Sequence, residues 1–549
     1  MDTVAGSQLA PVEGPRIGRT GPPTHQRRRW TVLAVLCVSL LIVSLDNTVL
    51  NVALPTLVRR LHATNTQLQW IVDAYAIVFA GLLLVFGSLG DRVGRKWVFM
   101  LGLVVFASAS AVSAFSSTPE QLIAARAFMG VGAAGIMPST LSILTNVFTD
   151  AKDRARAIGV WSGTTGLGVA LGPIVGGWLL ARYWWGSVFL INVPIAAVGL
   201  MATTLLVPNS RNPDAKRPDP LGAILSIAGL SLLLWGIIEA PQRGWSSPIV
   251  LGASATALGI ISVFVWWEQR CTHPMLELRF FDNRRFSVAM VSMAMVMFAL
   301  MGSLFLLTQY LQFSLGYSAL QTGLRIGPVA LVLLVVSPAS AFIVRRVGTK
   351  PVVATGMAVI AVGMTMLSRV SVHGTYGDVY PAFLLLGLGV GLSFAPLTES
   401  VMGSLPLERA GVGSGTNGAA LQVGGALGVG VLGSIFNSRY HDRLAPALAH
   451  YPVPSHVLQV INGSLGGALA VADAVGGKLG AGLAALARRA FASGFDLALT
   501  VGAGAVICSC VLVIALLPNR ARPGPPAGGA DRPDPPDQAD QTEERVAAR

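Results

Sequence analysis

Long apolar runs, separated by short polar segments, recur along almost the whole chain. A transmembrane helix needs about 20 mostly apolar residues to cross the hydrocarbon core of a bilayer. Fourteen runs meet this requirement, and they cover residues 30–54, 68–90, 97–116, 121–148, 157–180, 185–206, 219–239, 248–267, 286–313, 319–343, 351–369, 379–402, 411–436 and 494–517. The pattern predicts an all-α polytopic membrane protein with fourteen spans.

Basic residues are distributed unevenly among the short polar segments, and this bias orients the spans. If the N-terminus with Arg27, Arg28 and Arg29 is cytoplasmic, the short loops on that side hold most of the loop Lys and Arg residues. An even number of spans then returns the C-terminus to the same side. We therefore expect a multi-pass protein of the cell (inner) membrane with both termini cytoplasmic. Because Arg outnumbers Lys, we also expect a bacterial source.

Composition agrees with membrane burial. The chain has 549 residues, of which 53% are hydrophobic and 12% charged, whereas a soluble domain carries about 25% charged residues. The net charge of +13 does not indicate a nucleic-acid partner, because the basic residues lie in loops between apolar runs and not on one face. The four cysteines form no CxxC pattern, so neither a metal site nor a disulfide framework is predicted.

A short internal repeat indicates two related halves. Residues 91–96 (DRVGRK) and 345–350 (RRVGTK) each join two predicted spans on the cytoplasmic side, and paired halves are typical of many secondary transporters. Two extra spans then lie between the halves. The predicted divisions are a cytoplasmic tail 1–29, a six-helix bundle 30–206, two accessory helices with flanking loops 207–283, a second six-helix bundle 284–517 and a disordered cytoplasmic tail 518–549. The second bundle includes a long outer loop 437–493, with an interfacial helix near 457–490.

Ionisable residues within the spans are the first candidates for function. Asp46 lies about 16 residues inside span 1, roughly 24 Å from the cytoplasmic face. Asp73 and Arg126 both lie roughly 22 Å from that face. Buried charges need partners, so groups that share a depth on three helices are predicted to form a cluster. For Asp73, exposure to lipid headgroups stays open as an alternative.

Other polar and aromatic residues give weaker signals. Glu399, near the cytoplasmic end of span 12, fits a transport role and an interfacial position equally well. Trp70 and Tyr75 fit an aromatic belt slightly better than a cavity wall. The chain lacks the GxxxxGK[ST] pattern of ATP-binding loops and the GxSxG and HExxH patterns of hydrolases. We therefore expect neither an enzyme nor a bound cofactor.

The loop after span 2 reads GSLGDRVGRK over residues 87–96. Its acid can pair with neighbouring basic groups or with a helix N-terminus, and such a cluster can hold one conformation closed. The alternative is a positive-inside turn in which a glycine supplies the bend. The candidate gating residues are Gly87, Asp91, Arg92, Gly94, Arg95 and Lys96.

Span 5 contains GVALGPIVGG over residues 168–177. Gly168, Gly172, Gly176 and Gly177 recur at helical spacing and are predicted to lie near one face. Pro173 removes a backbone hydrogen bond and favours a kink. A smooth, kinked face allows close packing that can slide, whereas the alternative is a static interface of small residues.

Four segments together resemble one family. GSLGDRVGRK and GVALGPIVGG, with LDNTVLNVALP (45–55) and RAFMGVGAAG (126–135), are similar to motifs of the major facilitator superfamily. With fourteen spans, the chain resembles the drug:proton antiporters of the QacA and EmrB type over roughly residues 30–517. The resemblance implies two six-helix bundles around a central cavity, plus two accessory helices. The loop at 345–350 has Arg345 where the family has an acid, so no gating role is assigned to it.

The resemblance implies proton-coupled export of amphipathic drugs or toxic compounds by alternating access. The expected partners are a small amphipathic substrate, protons and the lipid bilayer, with the proton gradient as energy source and the chain as a monomer. Asp46, Arg126, Asp73 and Glu399 are the candidates for proton and substrate coupling. A dedicated exporter of one metabolite, such as a self-made antibiotic or siderophore, stays open, as does a membrane sensor that transports nothing.

Overall fold

Helices are the only regular elements in the described part of the chain. A computed structural model describes residues 23–211, 219–272, 274, 276–371, 374–404, 410–448 and 454–518. Residues 1–22 of the predicted N-terminal tail and 519–549 of the predicted disordered tail lie outside these ranges.

The described helices follow the predicted order of two bundles with an accessory pair between them. The first bundle contains α1 (Pro23–Leu61), α2 (Asn65–Val93), α3 (Arg95–Ala114), α4 (Pro119–Val147), α5 (Ala151–Arg182), the short α6 (Ser187–Leu190) and α7 (Asn192–Leu206). The accessory helices are α8 (Pro220–Arg243) and α9 (Pro248–Arg270). The second bundle contains α10 (Arg284–Gln309), α11 (Ala319–Val347), α12 (Thr349–Ser368), α13 (Tyr376–Met402), α14 (Ala410–Leu448), α15 (Ser455–Gly463), α16 (Leu465–Val475) and α17 (Gly477–Leu516). A 3-10 turn, Leu278–Asp282, precedes α10, and a π-helical turn, Tyr310–Ser314, follows it.

Thirteen helical segments among the described residues are long and apolar enough to cross a membrane. They account for every predicted span except 157–180. That span lies within α5, a continuous helix of 32 residues, which packs against α1 in its own bundle and α11 in the other. The order of elements therefore matches the predicted two bundles with an inserted pair.

The segment 437–493 is helical over most of its described length. Helix is present near 457–490 as predicted, whereas the prediction that a loop begins at residue 437 was wrong. α14 continues to Leu448, and α15, α16 and the start of α17 occupy the remainder. Alanine has the highest helix propensity, and this segment is rich in it. Ser464 caps α16 by accepting a hydrogen bond from the Gly467 amide at 3.0 Å. Buried residues of α16, including Ala468, then hold it against the bundle.

The two bundles meet along α2 with α14 and along α5 with α11. We call the end of the molecule where α1 begins the terminal end, and the end where α1 stops the distal end. Several buried polar contacts join the bundles towards the distal end. Gln312 Nε2 donates to the Val52 carbonyl at 2.9 Å, and Gln69 Nε2 donates to the Gly430 carbonyl at 3.0 Å. The bundles are therefore in direct contact on the distal side.

Candidate transport site

A buried ion pair lies in the middle of the first bundle. Asp46 on α1 and Arg126 on α4 are 2% and 1% exposed, and Arg126 Nη1 donates a hydrogen bond to Asp46 Oδ2. Thr118 and Pro119 fix the start of α4 through a side-chain cap and a proline in the first turn. Arg126 therefore enters the bundle two turns from that end, at the level of the Asp46 carboxylate.

Neighbouring helices satisfy the remaining polar atoms of this pair. Arg126 Nε donates to the Ile71 carbonyl at 3.1 Å, and its guanidinium lies 4.3 Å from the centre of the Tyr75 ring. Asn192 Nδ2 is 3.4 Å from Asp46 Oδ1 and 3.0 Å from Ser110 Oγ. Five helices, α1, α2, α3, α4 and α7, thus converge on one network. Such additional hydrogen bonds are what a buried ion pair requires, because desolvation otherwise exceeds the attraction between the charges.

This network has a direct chemical consequence. Removing one partner of a buried pair costs about 3–5 kcal/mol, because the other charge is left uncompensated. An Asp46 carboxyl that takes up a proton would leave Arg126, which stays charged, without its counter-charge. The pair therefore joins α1 to α4 through complementary buried charges.

Asp73 does not join this network, so the prediction of a three-member cluster was wrong. Asp73 and Tyr75 are two positions apart on α2, about 200° around the helix, and Tyr75 faces Arg126. The Asp73 carboxyl therefore points the other way, towards Gly430 of α14. It is 0% exposed, which also excludes a position among lipid headgroups. Neither carboxyl oxygen has a hydrogen-bond partner among the described residues.

Glu399 is separate from both acids. It is exposed near the terminal end of α13, within electrostatic range of Arg285 at the start of α10. The structure thus brings together Asp46 and Arg126 and leaves Asp73 and Glu399 in two other places.

The loop between α2 and α3 is tied to its own bundle. Arg95 Nε donates to Asp91 Oδ1 at 2.7 Å, and Arg95 Nη1 donates to the Ser142 carbonyl of α4 at 3.1 Å. Lys96 Nζ donates to the Thr204 carbonyl of α7 at 2.9 Å. These bonds connect α2, α3, α4 and α7 at the terminal end of the bundle.

Glycines shape the same loop. Gly94 joins α2 to α3 with φ = +132°, a conformation that only glycine adopts without strain. At Gly87 an added Cβ would lie 3.6 Å from Pro138 Cβ of α4, an ordinary van der Waals distance, so the packing there does not require glycine. Arg92 is exposed.

Three glycines of α5 pack directly on the part of α1 that carries Asp46. A Cβ added at Gly168 would lie 2.5 Å from Ser44 Cβ, and one at Gly176 would lie 2.9 Å from Val49 Cγ1. One at Gly172 would overlap the Thr48 side chain. The α1 residues on either side of Asp46 therefore rest on a surface without side chains.

A second surface of α5 faces the other bundle. A Cβ at Gly177 would lie 2.6 Å from the Ala319 carbonyl oxygen of α11, and the Pro173 carbonyl contacts Gly323. The expectation that all four glycines share one face was therefore wrong for Gly177. α5 therefore contacts both the Asp46 segment of α1 and α11 of the other bundle.

Sequence reasoning missed Asn192, which contacts Asp46, and Ser110, which accepts a hydrogen bond from Asn192. Asn192 and Ser110 are uncharged polar residues inside apolar spans, and such residues often bond across helices in membranes. The sequence slightly favours an aromatic belt for Tyr75, but the side chain is 1% exposed and its ring stacks on the Arg126 guanidinium. Its identity gave no indication of which face of α2 it occupies.

Two helical bundles with a central buried ion pair and an inserted helix hairpin define a membrane transporter, not an enzyme. The family model of the Major Facilitator Superfamily matches residues 36–429, and the chain belongs to that family. It is 35% identical to the multidrug efflux pump LfrA of Mycolicibacterium smegmatis, over 90% of this chain and 98% of that protein. It is 32% identical to the tetracenomycin C resistance and export protein of Streptomyces glaucescens, over 90% and 93%.

Solved structures show the same fold at low identity. A bacterial homologue of the human lysosomal transporter Spinster, inward-facing and unoccupied, matches with a TM-score of 0.63 and 15% identity. The match covers 90% of this chain and 97% of that one. The human organic anion transporter MFSD10 matches with a TM-score of 0.53 and 16% identity, over 90% and 100%.

Proposed function

We propose that this chain exports amphipathic drugs or other toxic compounds across the cell membrane in exchange for protons. The observation that carries the proposal is the fully buried Asp46–Arg126 pair in the middle of the first bundle. Ionisable groups at this depth are costly and usually belong to ion or substrate pathways. The names of the relatives, a multidrug efflux pump and an antibiotic export protein, support export as the direction.

In this proposal the terminal end faces the cytoplasm, as do both termini, and the chain acts as a monomer in the inner membrane. The distal contacts between the bundles then close the outer side. Glycines in the terminal half of α5, such as Gly159 and Gly163, have open space around them, which fits access from the cytoplasm. Alternating access would rock the two bundles against each other about the distal contacts between them.

Coupling would proceed through local movement of α1. Asp46 and Arg126 belong to the same bundle, so rocking the bundles as rigid bodies would not separate them. The glycine surface of α5 lets the segment 44–49 of α1 shift against it. A proton entering from outside would neutralise Asp46 and free Arg126. Restoring the pair on the inward side would release that proton, so protons moving down their gradient would drive export.

The other candidates have subsidiary roles in this proposal. The Asp91–Arg95 pair holds the terminal ends of α2, α3 and α4 together and would act in gating. Asp73 would be a second proton-binding acid, since ionisable groups inside a membrane often belong to proton pathways. Glu399 keeps a candidate role at the terminal mouth.

A dedicated exporter of one metabolite is the second candidate. The similarity to the tetracenomycin C resistance and export protein and to a methylenomycin A resistance protein of Streptomyces coelicolor, at 33% identity, favours it. The site chemistry is common to both candidates, so the range of accepted compounds separates them.

The experiment is growth of a drug-hypersensitive bacterial host that expresses the chain, across a panel of cationic dyes, antiseptics and antibiotics. Resistance to several unrelated compounds, lost when a protonophore collapses the proton gradient, is the expected result. Resistance to a single compound would favour the dedicated exporter. Resistance that survives the protonophore would contradict proton coupling.

A further inference from the structure

The accessory helix α8 occupies the seam between α2 and α14. Near its terminal end, Ile227 contacts Gly81 of α2 so closely that a Cβ there would overlap it. At its distal end, Gln242 Nε2 donates to Thr66 Oγ1 of α2 at 2.8 Å. α8 therefore follows α2 over most of the length of the seam. Only 11% of the apolar stretch of the neighbouring helix α9 is buried inside the protein. The rest of α9 therefore faces the bilayer.

Three helices meet at Gly430 of α14. A Cβ added there would lie 2.6 Å from Leu234 Cδ2 of α8, 3.4 Å from Asp73 Oδ2 of α2 and 3.9 Å from Ile238 Cγ1 of α8. Leu234 and Ile238 are 1% and 0% exposed. The Asp73 carboxyl thus lies beside the bare backbone of α14, with apolar side chains of α8 against the same glycine.

Leu234 and Ile238 of α8 belong to one buried apolar cluster with Ile77 of α2 and Ala426 of α14, and this cluster lies beside the carboxyl. Asp73 is 0% exposed, and its two oxygens have no hydrogen-bond partner among the described residues. α2 and α14 belong to different bundles, so their seam would face acyl chains if α8 were absent. An acid in direct contact with hydrocarbon is unfavourable.

We propose that α8 forms the lipid-side wall of an enclosed site for the Asp73 carboxyl, with Leu234 and Ile238 as positioning residues. The accessory helices α8 and α9 then contribute to the site of the Asp73 carboxyl, in addition to packing against the two bundles. This wall controls which molecules reach Asp73 from the bilayer. It exists whether or not Asp73 carries a transported proton, so its test does not depend on the proposed function.

The test is labelling by dicyclohexylcarbodiimide, an apolar reagent that adds to protonated carboxyl groups and reaches them through lipid. The full chain, in phosphatidylglycerol–phosphatidylcholine vesicles, is treated and the modified peptides are identified by mass spectrometry. We expect little labelling of Asp73 in the wild type. Leu234→Ala should raise it about tenfold, and Asp73→Asn in the same chain should remove the gain.

Matched variants separate a local opening from general loosening. Ile224→Ala removes an aliphatic side chain from the same helix at a site that is 62% exposed, and it should leave labelling at the wild-type level. Leu234→Met keeps the volume and should restore most of the protection. Ile238→Val removes a single methyl group from the wall, and it provides a milder opening if Leu234→Ala does not fold.

Two results would overturn the proposal. Asp73 in the wild type could be labelled as fast as in Leu234→Ala, which would mean that α8 does not cover it. Alternatively, Ile224→Ala could raise labelling as much as Leu234→Ala and Ile238→Val, which would show that any loss of packing on α8 has the same effect.

Discussion

Asp46 and Asp73 lie at similar depths on α1 and α2, which follow one another in the chain, but the two carboxyl groups have different neighbours. Asp46 has a guanidinium partner and an amide partner, all from helices of the first bundle. Asp73 has no partner among the described residues, and its neighbours come from both bundles and the accessory hairpin. Membrane depth alone therefore does not define the role of an acid.

The difference predicts how each acid responds to a conformational change. The partners of Asp46 move with it as one body, so its environment changes only when α1 shifts inside the bundle. The neighbours of Asp73 belong to both bundles, so under the proposed alternating access its enclosure would change during each cycle. Under the proposed function, Asp46 would couple transport to protons, and Asp73 would be a second proton-binding acid whose surroundings change as the bundles move.

The largest effect is expected from Asp46→Asn. The change keeps the shape of the side chain but removes the charge that compensates Arg126, which costs about 3–5 kcal/mol. We expect efflux to be abolished while the protein still inserts at normal levels. Dye efflux from energised cells, with membrane levels measured by immunoblot, checks this. Proton-driven efflux retained by the variant would remove Asp46 from the mechanism.

Gly172→Leu should have the next largest effect. A leucine there would overlap Thr48 and displace the segment of α1 that carries Asp46. We expect transport to fail although the chain still inserts. The control is Gly259→Leu on the accessory helix α9, where an added side chain has open space and efflux should persist. Equal efflux from the two variants would show that the contact between α5 and α1 does not matter.

Arg126→Lys should retain part of the activity. Lysine supplies a positive charge for Asp46 but lacks the planar fork that also reaches the Ile71 carbonyl. We expect efflux between that of the wild type and that of Arg126→Ala, at equal protein levels. Wild-type efflux from the lysine variant would mean that charge alone is sufficient.

The smallest effect on stability is expected from Asp73→Asn. No hydrogen bond of the carboxyl is lost, so the free energy of unfolding should change by roughly 1 kcal/mol or less. Thermal unfolding in detergent, compared with Asp46→Asn, measures the contrast. A larger loss for Asp73→Asn than for Asp46→Asn would reverse the comparison between the two acids.

The sequence was sufficient to predict the spans, because they depend on apolar length. The short internal repeat and the family resemblance indicated the two bundles and the inserted pair. Shared depth also anticipated the contact between Asp46 and Arg126. Depth could not decide on which face of α2 a residue lies. An apolar helix that is buried on several sides has no polar face to orient it, so Asp73 and Tyr75 were both misplaced.

Two other features depend on long-range packing and could not be predicted. The first is the extension of α14 to Leu448 and the division of the following stretch, predicted as helix near 457–490, into α15, α16 and the start of α17. The position of α8 in the seam depends on glycines such as Gly81 and Gly430, which lie far apart in sequence. No local pattern connects these residues, although each glycine by itself indicates a close approach.

The central claim is that the Asp46–Arg126 pair couples substrate binding to proton release. The most direct measurement is the proton release that a transported substrate induces in purified protein, followed with a pH-sensitive dye in weak buffer. We predict release by the wild type and none by Arg126→Ala, in which the buried acid has lost its partner. Unchanged release in Arg126→Ala would contradict the claim and make Asp73 or Glu399 the leading acid.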